Sequence, residues 1–362
     1  MKGYKMDIYI LDSSNNPADV IDSFKSVIWN VQFFDVNDFE LVVPATPKNI
    51  QGLQPGTALV RDMDMSAGEY HNVMMVESYE FTFDVDRGWI LTVRGGGLKS
   101  ILKRRVVWQQ TNLTGSVESG IRKVITDNVI SPADNSRAIP NFVLDSVQGF
   151  TDTFDVQLLG ENIAEWLVST CTLYGIGWDI YIKNGNYVFT MKKGTNRTYN
   201  QNVNIPVVFS PKYNNLISST YTYDLENYAN AALVGGEGEG TAQKVASIGT
   251  ATGLNRYESF VDGSSVSSNG DIITLATYMK MLQDYGASQL AENALNEKYE
   301  GQVIPNGMYN LNEDYFLGDL VQIDNEKGIE AVTRILEIIY SEDENGYSLL
   351  PTFGEWTGES EV

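Results

Sequence analysis

Residues 55–95 and 317–354 run through one order of features: a glycine turn, a strand, a long strand, an acidic hairpin tip and a return strand. Pro55-Gly56-Thr57-Ala58-Leu59-Val60 is matched by Leu317-Gly318-Asp319-Leu320-Val321, and the stretch 73–81 by 332–340. The acidic turn 84–88 is matched by 342–346, after which each hairpin passes an aromatic, Trp89 or Tyr347, and reaches a closing glycine, Gly95 or Gly354. Look-alike hairpins are common in β proteins, so the match stands as coincidence or as duplication. Duplication predicts two copies of one barrel-like unit, the second interrupted by a helical insertion. Two such copies per chain would let a trimer build a ring of near-sixfold character.

A chain of 362 residues exceeds the usual size of one core, so roughly two to four compact units are expected. Alternating apolar runs predict strands over 8–11, 26–34, 39–43, 57–61, 73–83 and 89–94, separated by Asn15-Asn16-Pro17, Gln54-Pro55-Gly56 and Asp86-Arg87-Gly88 turns. This is the pattern of an antiparallel barrel or sandwich. Helical spacing follows over 98–105, over 115–129 with Val117, Ile121, Val124 and Ile125 in phase, and over 162–174 with Ile163, Trp166, Leu167 and Cys171 on one face. With strands at 178–182 and 187–192 across Asn184-Gly185, residues 106–212 read as an α+β unit. Strands resume at 216–223 and 230–235 and break at Gly235-Gly236-Glu237-Gly238-Glu239-Gly240. A polar stretch then leads to the longest helical pattern, 274–299, and to strands at 320–323, 331–340 and 347–353. The fold class expected is α+β, mostly β.

Charge narrows the functions open to such a chain. With 25 basic and 47 acidic residues the net charge is -22, which opposes the phosphate attraction that drives DNA binding. The acids are spread along the chain, as on a surface kept from nonspecific association. A single cysteine, Cys171, forms no intrachain disulfide and fits synthesis in a reducing cytoplasm. The start Met1-Lys2-Gly3-Tyr4-Lys5-Met6-Asp7 lacks the apolar core of a signal peptide, and no window offers the ~18 apolar residues of a membrane span. A soluble protein outside the Sec route is expected.

Few residues could carry catalysis. His71 is the sole histidine and sits in a polar loop, and no Gly-x-Ser-x-Gly elbow exists. One histidine and one cysteine cannot build a zinc signature. A glycosidase needs only two acids, and Asp152, Asp155, Glu161 and Glu165 are available; solvated faces explain them better, since no motif singles one out. Gly-x-Gly-x-Gly at 236–240 lacks a phosphate-loop ending and reads as a strand-ending turn. Arg94-Gly95-Gly96-Gly97 with Lys99, Lys103, Arg104 and Arg105 could cradle an anion. A sharp strand exit beside a basic cluster facing acids of a neighbouring subunit is the preferred alternative. Asp343-Glu344-Asn345-Gly346 is a hairpin tip without the glutamate of a calcium loop. No catalytic, cofactor-binding or metal-binding residue is expected.

A family resemblance rests on motifs spread in order along the chain. They begin with Ser26-Val27-Ile28-Trp29, Asp38-Phe39-Glu40-Leu41-Val42-Val43-Pro44 and Leu98-x-x-Ile101-Leu102-x-Arg104-Arg105-Val106-Val107. Asn196-Arg197-Thr198, Val208-Phe209-Ser210, Asn214-Asn215-Leu216 and the run from Asn230 to Gly240 follow. Leu317-Gly318-Asp319-x-Val321, Thr333-Arg334-Ile335 and Phe353-Gly354 complete the set. Together they resemble the siphophage tail hub family, the N-terminal hub portion of tail-associated lysins, related in fold to baseplate hubs of contractile phages. Thr241-Ala242-Gln243 stands where such proteins often have an arginine, and Asn196 where aspartate is more usual.

The resemblance implies a homotrimer at the virion tail tip, made in the bacterial host cytoplasm. Two tube-type β-barrel domains per chain would alternate into a pseudo-hexameric ring that continues the tail tube, with two smaller peripheral α+β domains. The corresponding spans are 1–105 for the first barrel, 106–212 for a peripheral domain, 213–240 with 302–354 for the second barrel, 241–301 for an inserted helical segment, and 355–362 for an acidic tail. Implied partners are distal tail and tail-tube proteins, fibre, spike or lysin proteins, and phage DNA passing through the lumen without specific binding, with no membrane and no cofactor. An acidic lumen wall would keep phosphates from adhering. Two rival readings are a cell-wall glycosidase and a receptor-binding module that presents some of the 20 tyrosines to sugars.

Overall fold

The computed structural model describes residues 6–21, 23–86, 88–270, 272–304, 307–324 and 330–354. The expected acidic tail at 355–362 lies outside them. Up to residue 100 the chain forms β1 (Ile8–Leu11), β2 (Pro17–Ile21), β3 (Ser26–Gln32), β4 (Asp38–Pro44), α1 (Pro47–Gly52), β5 (Ala58–Arg61), β6 (Met65–Ser66), β7 (Glu69–Tyr70), β8 (Met74–Asp84) and β9 (Gly88–Gly97). Next come β10 (Thr111–Ser116), α2 (Val117–Ile125), β11 (Phe142–Leu144), β12 (Thr153–Leu158), α3 (Ile163–Tyr174), β13 (Gly177–Lys183) and β14 (Asn186–Lys192). The rest supplies β15 (Val208–Phe209), β16 (Leu216–Asp224), β17 (Ala231–Gly235), β18 (Val245–Ile248), β19 (Glu258–Asp262), α4 (Leu275–Ala291), β20 (Asn296–Val303), β21 (Leu320–Asp324), β22 (Glu330–Asp343) and β23 (Gly346–Gly354). The chain is mostly β, as expected. Among the described residues no helix is long and apolar enough to cross a membrane.

Two compact units emerge. The first gathers the described residues within 1–100, 177–222 and 297–354, the second those within 101–176 and 223–296. In the first unit thirteen strands share one sheet, in the order β16-β20-β23-β22-β3-β4-β9-β8-β5-β1-β2, with β21 beside β22 and β15 beside β21. Both copies of the repeat lie in it, as β5-β8-β9 and β21-β22-β23. They share their irregularities. The β8–β9 register slips between Val76 and Ser78 and the β22–β23 register between Ile335 and Glu337, so Glu77 and Leu336 are equivalent bulges. Gly56, at φ 92°, donates to Val76 O at 2.8 Å, and Gly318, at φ 94°, to Ile335 O at 2.9 Å. One match moves by a residue: Gly354 faces Arg334 as Gly96, rather than Gly95, faces Met75.

Two tube-type β-barrel domains were expected from the resemblance. The strands of both copies run in one sheet, and among the described residues no sheet closes on itself. One apolar cluster serves both copies, from Trp29, Leu41 and Leu91 to Phe209, Tyr299, Tyr315 and Phe353. Continuous burial of this kind welds the copies into one cooperative core.

In the second unit, β10 pairs with β12, and α3 is bounded by caps its sequence supplies. Asn162 Oδ1 accepts from the Ala164 and Glu165 amides, and Gly175 ends the helix at φ 61°. β17 lies between β18 and β19, and α4 packs Tyr278, Met281 and Leu282 on Ala232, Val234, Ala246 and Val261. Three helical expectations change. Residues 98–104 form a 3₁₀ helix, α2 stops at Ile125 and passes into a π turn, and the 274–299 pattern ends at Ala291, with β20 beyond it. β18 and β19 occupy the stretch read only as polar.

Candidate functional site

The two copies meet where β22 leaves β21 and takes β3 as its neighbour. Residues Glu337 to Glu342 pair with Gln32 to Val27, placing Tyr340 opposite Trp29. Arg61, at the end of β5, is fully buried here, its guanidinium 3.7 Å from the Tyr340 ring centroid and 5.5 Å from that of Trp29. Arg61 Nε donates to Asp64 Oδ2 at 2.5 Å, Asn72 Nδ2 donates to Asp64 Oδ1 at 2.7 Å, and Trp29 Nε1 donates to Asn72 O at 3.1 Å. Burial alone would lower the Arg61 pKa; Asp64 and Tyr340 outweigh it and raise it, so the cation persists in the core. One charge thus links β5, the 62–72 loop, β3 and β22.

A second cluster unites motifs far apart in sequence. Arg197 Nε bonds Asp319 Oδ2 at 2.7 Å, while Asp319 also accepts the Thr195 amide at 2.7 Å and the Phe316 amide at 3.0 Å. Arg334 Nη1 donates to Gly318 O at 2.9 Å, and Thr333 Oγ1 to Gly354 O at 2.7 Å. A Cβ on Gly194 would lie 1.6 Å from Gly318 O, so the two backbones pass in contact. The Asn196, Gly318, Thr333 and Phe353 motifs are therefore neighbours, and their polar groups are spent on holding turns.

The sequence-level candidates for chemistry divide in the same way. A cavity of about 400 Å³ beside the joint is lined by Asp64, Ser66, His71, Asn72, Trp178 and Tyr340 among others. His71 stacks on Tyr181 at 4.7 Å, Ser66 Oγ donates to Glu69 O, and Asp64 is held by Arg61 and Asn72. No Ser–His bond forms among the described residues. In the second unit Asp155 pairs with Lys280 at 2.9 Å, and burial raises the Glu161 pKa while its Oε2 accepts the Leu159 amide.

Lys99 points inward and donates to Gln32 O and Asp35 O at 2.6 and 2.9 Å, beneath the Trp178 ring. That removes it from both the anion cradle and any contact between subunits. The glycines before it allow tight passage, since a Cβ on Gly95 would lie 1.9 Å from Met75 O. At 236–240 the run makes a turn whose Glu237 accepts from Ser267 Oγ, Ser268 N and Ser268 Oγ at 2.8, 2.7 and 2.7 Å. These bonds, the Ser268 hydroxyl foremost, lower its pKa to about 2. The roles of Arg61 and Glu237 were missed in sequence; for Arg61 the signal was a lone cation ending the apolar run Leu59-Val60, with Asp64 three residues on.

Residues 7–355 match a family described as Siphovirus ReqiPepy6 Gp37-like protein. Among solved structures the fold resembles the prophage MuSo2 43 kDa tail protein from Shewanella oneidensis, with TM-score 0.58 and 13% identity over 97% of this chain and 98% of that one. It also resembles a tail protein from Neisseria meningitidis MC58, with TM-score 0.56 and 16% identity over 97% of each chain. A third likeness is to prophage tail protein gp18 from Listeria monocytogenes EGD-e, with TM-score 0.52 and 14% identity over 98% of this chain and 95% of that one. No curated protein sequence matches. At such identities the likeness is one of fold.

Proposed function

The chain belongs to the Siphovirus ReqiPepy6 Gp37-like protein family, and from that premise we propose that it is a structural hub of a phage tail tip or baseplate. Three copies close a pseudo-hexameric ring in which the two duplicated units of each chain alternate. The ring continues the tail tube, docks on distal tail proteins, anchors a fibre, spike or lysin, and leaves a lumen through which DNA passes without specific contacts. The observation that carries this reading is the duplication, with equivalent bulges at Glu77 and Leu336 in one sheet. A doubled unit halves the number of chains a six-unit ring needs. The fold shared with tail proteins from Shewanella, Neisseria and Listeria supports a tail role. The net charge of -22 suits a channel for phosphates.

Light scattering over a range of concentrations, together with gold-labelled antibody on virions, tests the reading. A trimer or its multiple and label at the tail tip are expected. Label along the capsid or the whole tail would overturn it.

A further inference from the structure

Trp108 stands just before β10 in the second unit, and 62% of it is exposed. Leaving an indole in water forgoes the largest apolar burial a side chain offers, yet the chain around it is firmly held. The Val107 amide donates to Glu161 O at 2.9 Å, Val107 O accepts the Gly160 amide at 2.8 Å, and the Trp108 amide donates to Asn128 Oδ1 at 3.1 Å. The ring is held as well. The Arg137 guanidinium lies 4.8 Å from its centroid and is itself tied to Val106 O through Nη2 at 2.8 Å. Arg137 covers one face of the indole, and the exposure belongs to the other.

That ring borders a cavity of about 410 Å³, a usual size for a small-molecule site. Part of the wall is the π turn after α2, closed by the Ser131 amide donating to Thr126 O at 2.8 Å. Such turns are rare and gather at functional sites. This one brings Asp127, Asn128 and Ser131 to the cavity, with Asn128 spent on the Trp108 amide and on Val124 O. Gln110 and Asn112 add side-chain amides. Gln110 Nε2 donates to Asn269 Oδ1 and Asn112 Oδ1 accepts from Gln157 Nε2, so among the described residues Gln110 Oε1 and Asn112 Nδ2 are left as an acceptor and a donor for something else.

The charges of the wall cancel. Lys123 pairs with Asp127 one turn away, and Asp134 and Arg137 complete two cations against two carboxylates. A cation on the open face of Trp108 would be repelled by Arg137 across the ring, and an anionic polymer by a chain of net charge -22. A flat aromatic face rimmed by amides and paired charges suits a neutral ring with apolar C–H groups on its faces and hydroxyls around its edge. We propose that this cavity binds a neutral saccharide, one sugar ring stacking on Trp108 while its hydroxyls bond Gln110, Asn112 and Asp127. The site goes beyond the hub reading and does not depend on it.

An array of neutral oligosaccharides built from glucose, galactose, rhamnose and N-acetylglucosamine, probed with the full chain, tests the proposal. The array sugar with the strongest signal is then titrated by calorimetry beside sodium phosphate and choline chloride. Wild type should bind the sugar and neither salt. Trp108→Ala should lose roughly tenfold or more in affinity, and Asp127→Asn, which keeps the shape of the side chain, about fivefold. Both positions are open to solvent, so circular dichroism and melting should stay as in wild type. Silence across the array, binding by both variants as tight as wild type, or tighter binding of phosphate or choline than of the sugar would overturn the site.

Discussion

Arg61 shows how much a single buried charge can be asked to do. Its guanidinium faces two aromatic rings from two strands, and its Nε neutralises Asp64, whose other oxygen positions Asn72 against Trp29. Arg61→Ala would leave Asp64 buried without its cation, at a cost of about 3–5 kcal/mol. Chemical denaturation should place its midpoint far below that of Arg61→Met combined with Asp64→Asn, which keeps the packing and removes both charges. Glu237 behaves differently because its partners are neutral donors and a half-exposed lysine. Its pKa falls from an ordinary 4.5 to about 2 on folding, so its contribution is complete above pH 4.5 and is lost as pH falls from 4.5 toward 2. Glu237→Gln should melt below wild type at neutral pH, and the gap should narrow across that acidic window when followed by thermal scans.

Close backbone passages set what each element tolerates. Gly95 lies where β9 crosses the β8 bulge, and a methyl group there would meet the Met75 carbonyl at 1.9 Å. Gly95→Ala should therefore cost about 3 kcal/mol, the upper end of overpacking, since a strand cannot step aside as a side chain can. Gly160, at φ 90° with open space around its Cβ position, should lose only about 1–2 kcal/mol on conversion to Ala, from backbone strain alone. Denaturant midpoints separate the two cases. Legibility in the sequence followed the same local logic. α3 could be placed from Asn162, its apolar face and the glycine after Tyr174, because those signals are all local. β20 was hidden: Asn296-Glu297-Lys298-Tyr299-Glu300 continues a run of good helix formers, and only pairing with β23 reveals that Tyr299, Gly301 and Val303 face inward at period two. β18 and β19 each bury a single residue, Ala246 or Val261, too little alternation to register. The duplicated hairpins were visible, whereas the joint was not, since Arg61, Trp29 and Tyr340 come together only through a pairing between distant segments.

At the scale of the whole molecule, charge and assembly pull against each other. Each chain carries a net charge of -22, so bringing copies into a ring places like charges closer than they stand in dilute solution. A ring contact made by strand pairing and apolar burial does not weaken with salt. Lys99, one member of the basic run that could have answered a neighbour's acids, is turned into the core. Screening should therefore relieve repulsion without weakening attraction: the Debye length shortens from about 30 Å at 0.01 M salt to about 8 Å at 0.15 M. Sedimentation velocity across that range should show association strengthening by roughly tenfold or more as sodium chloride is raised. Weakening with salt would instead mean that charge complementarity holds the subunits, with Lys103, Arg104 and Arg105 as the first residues to replace by glutamine.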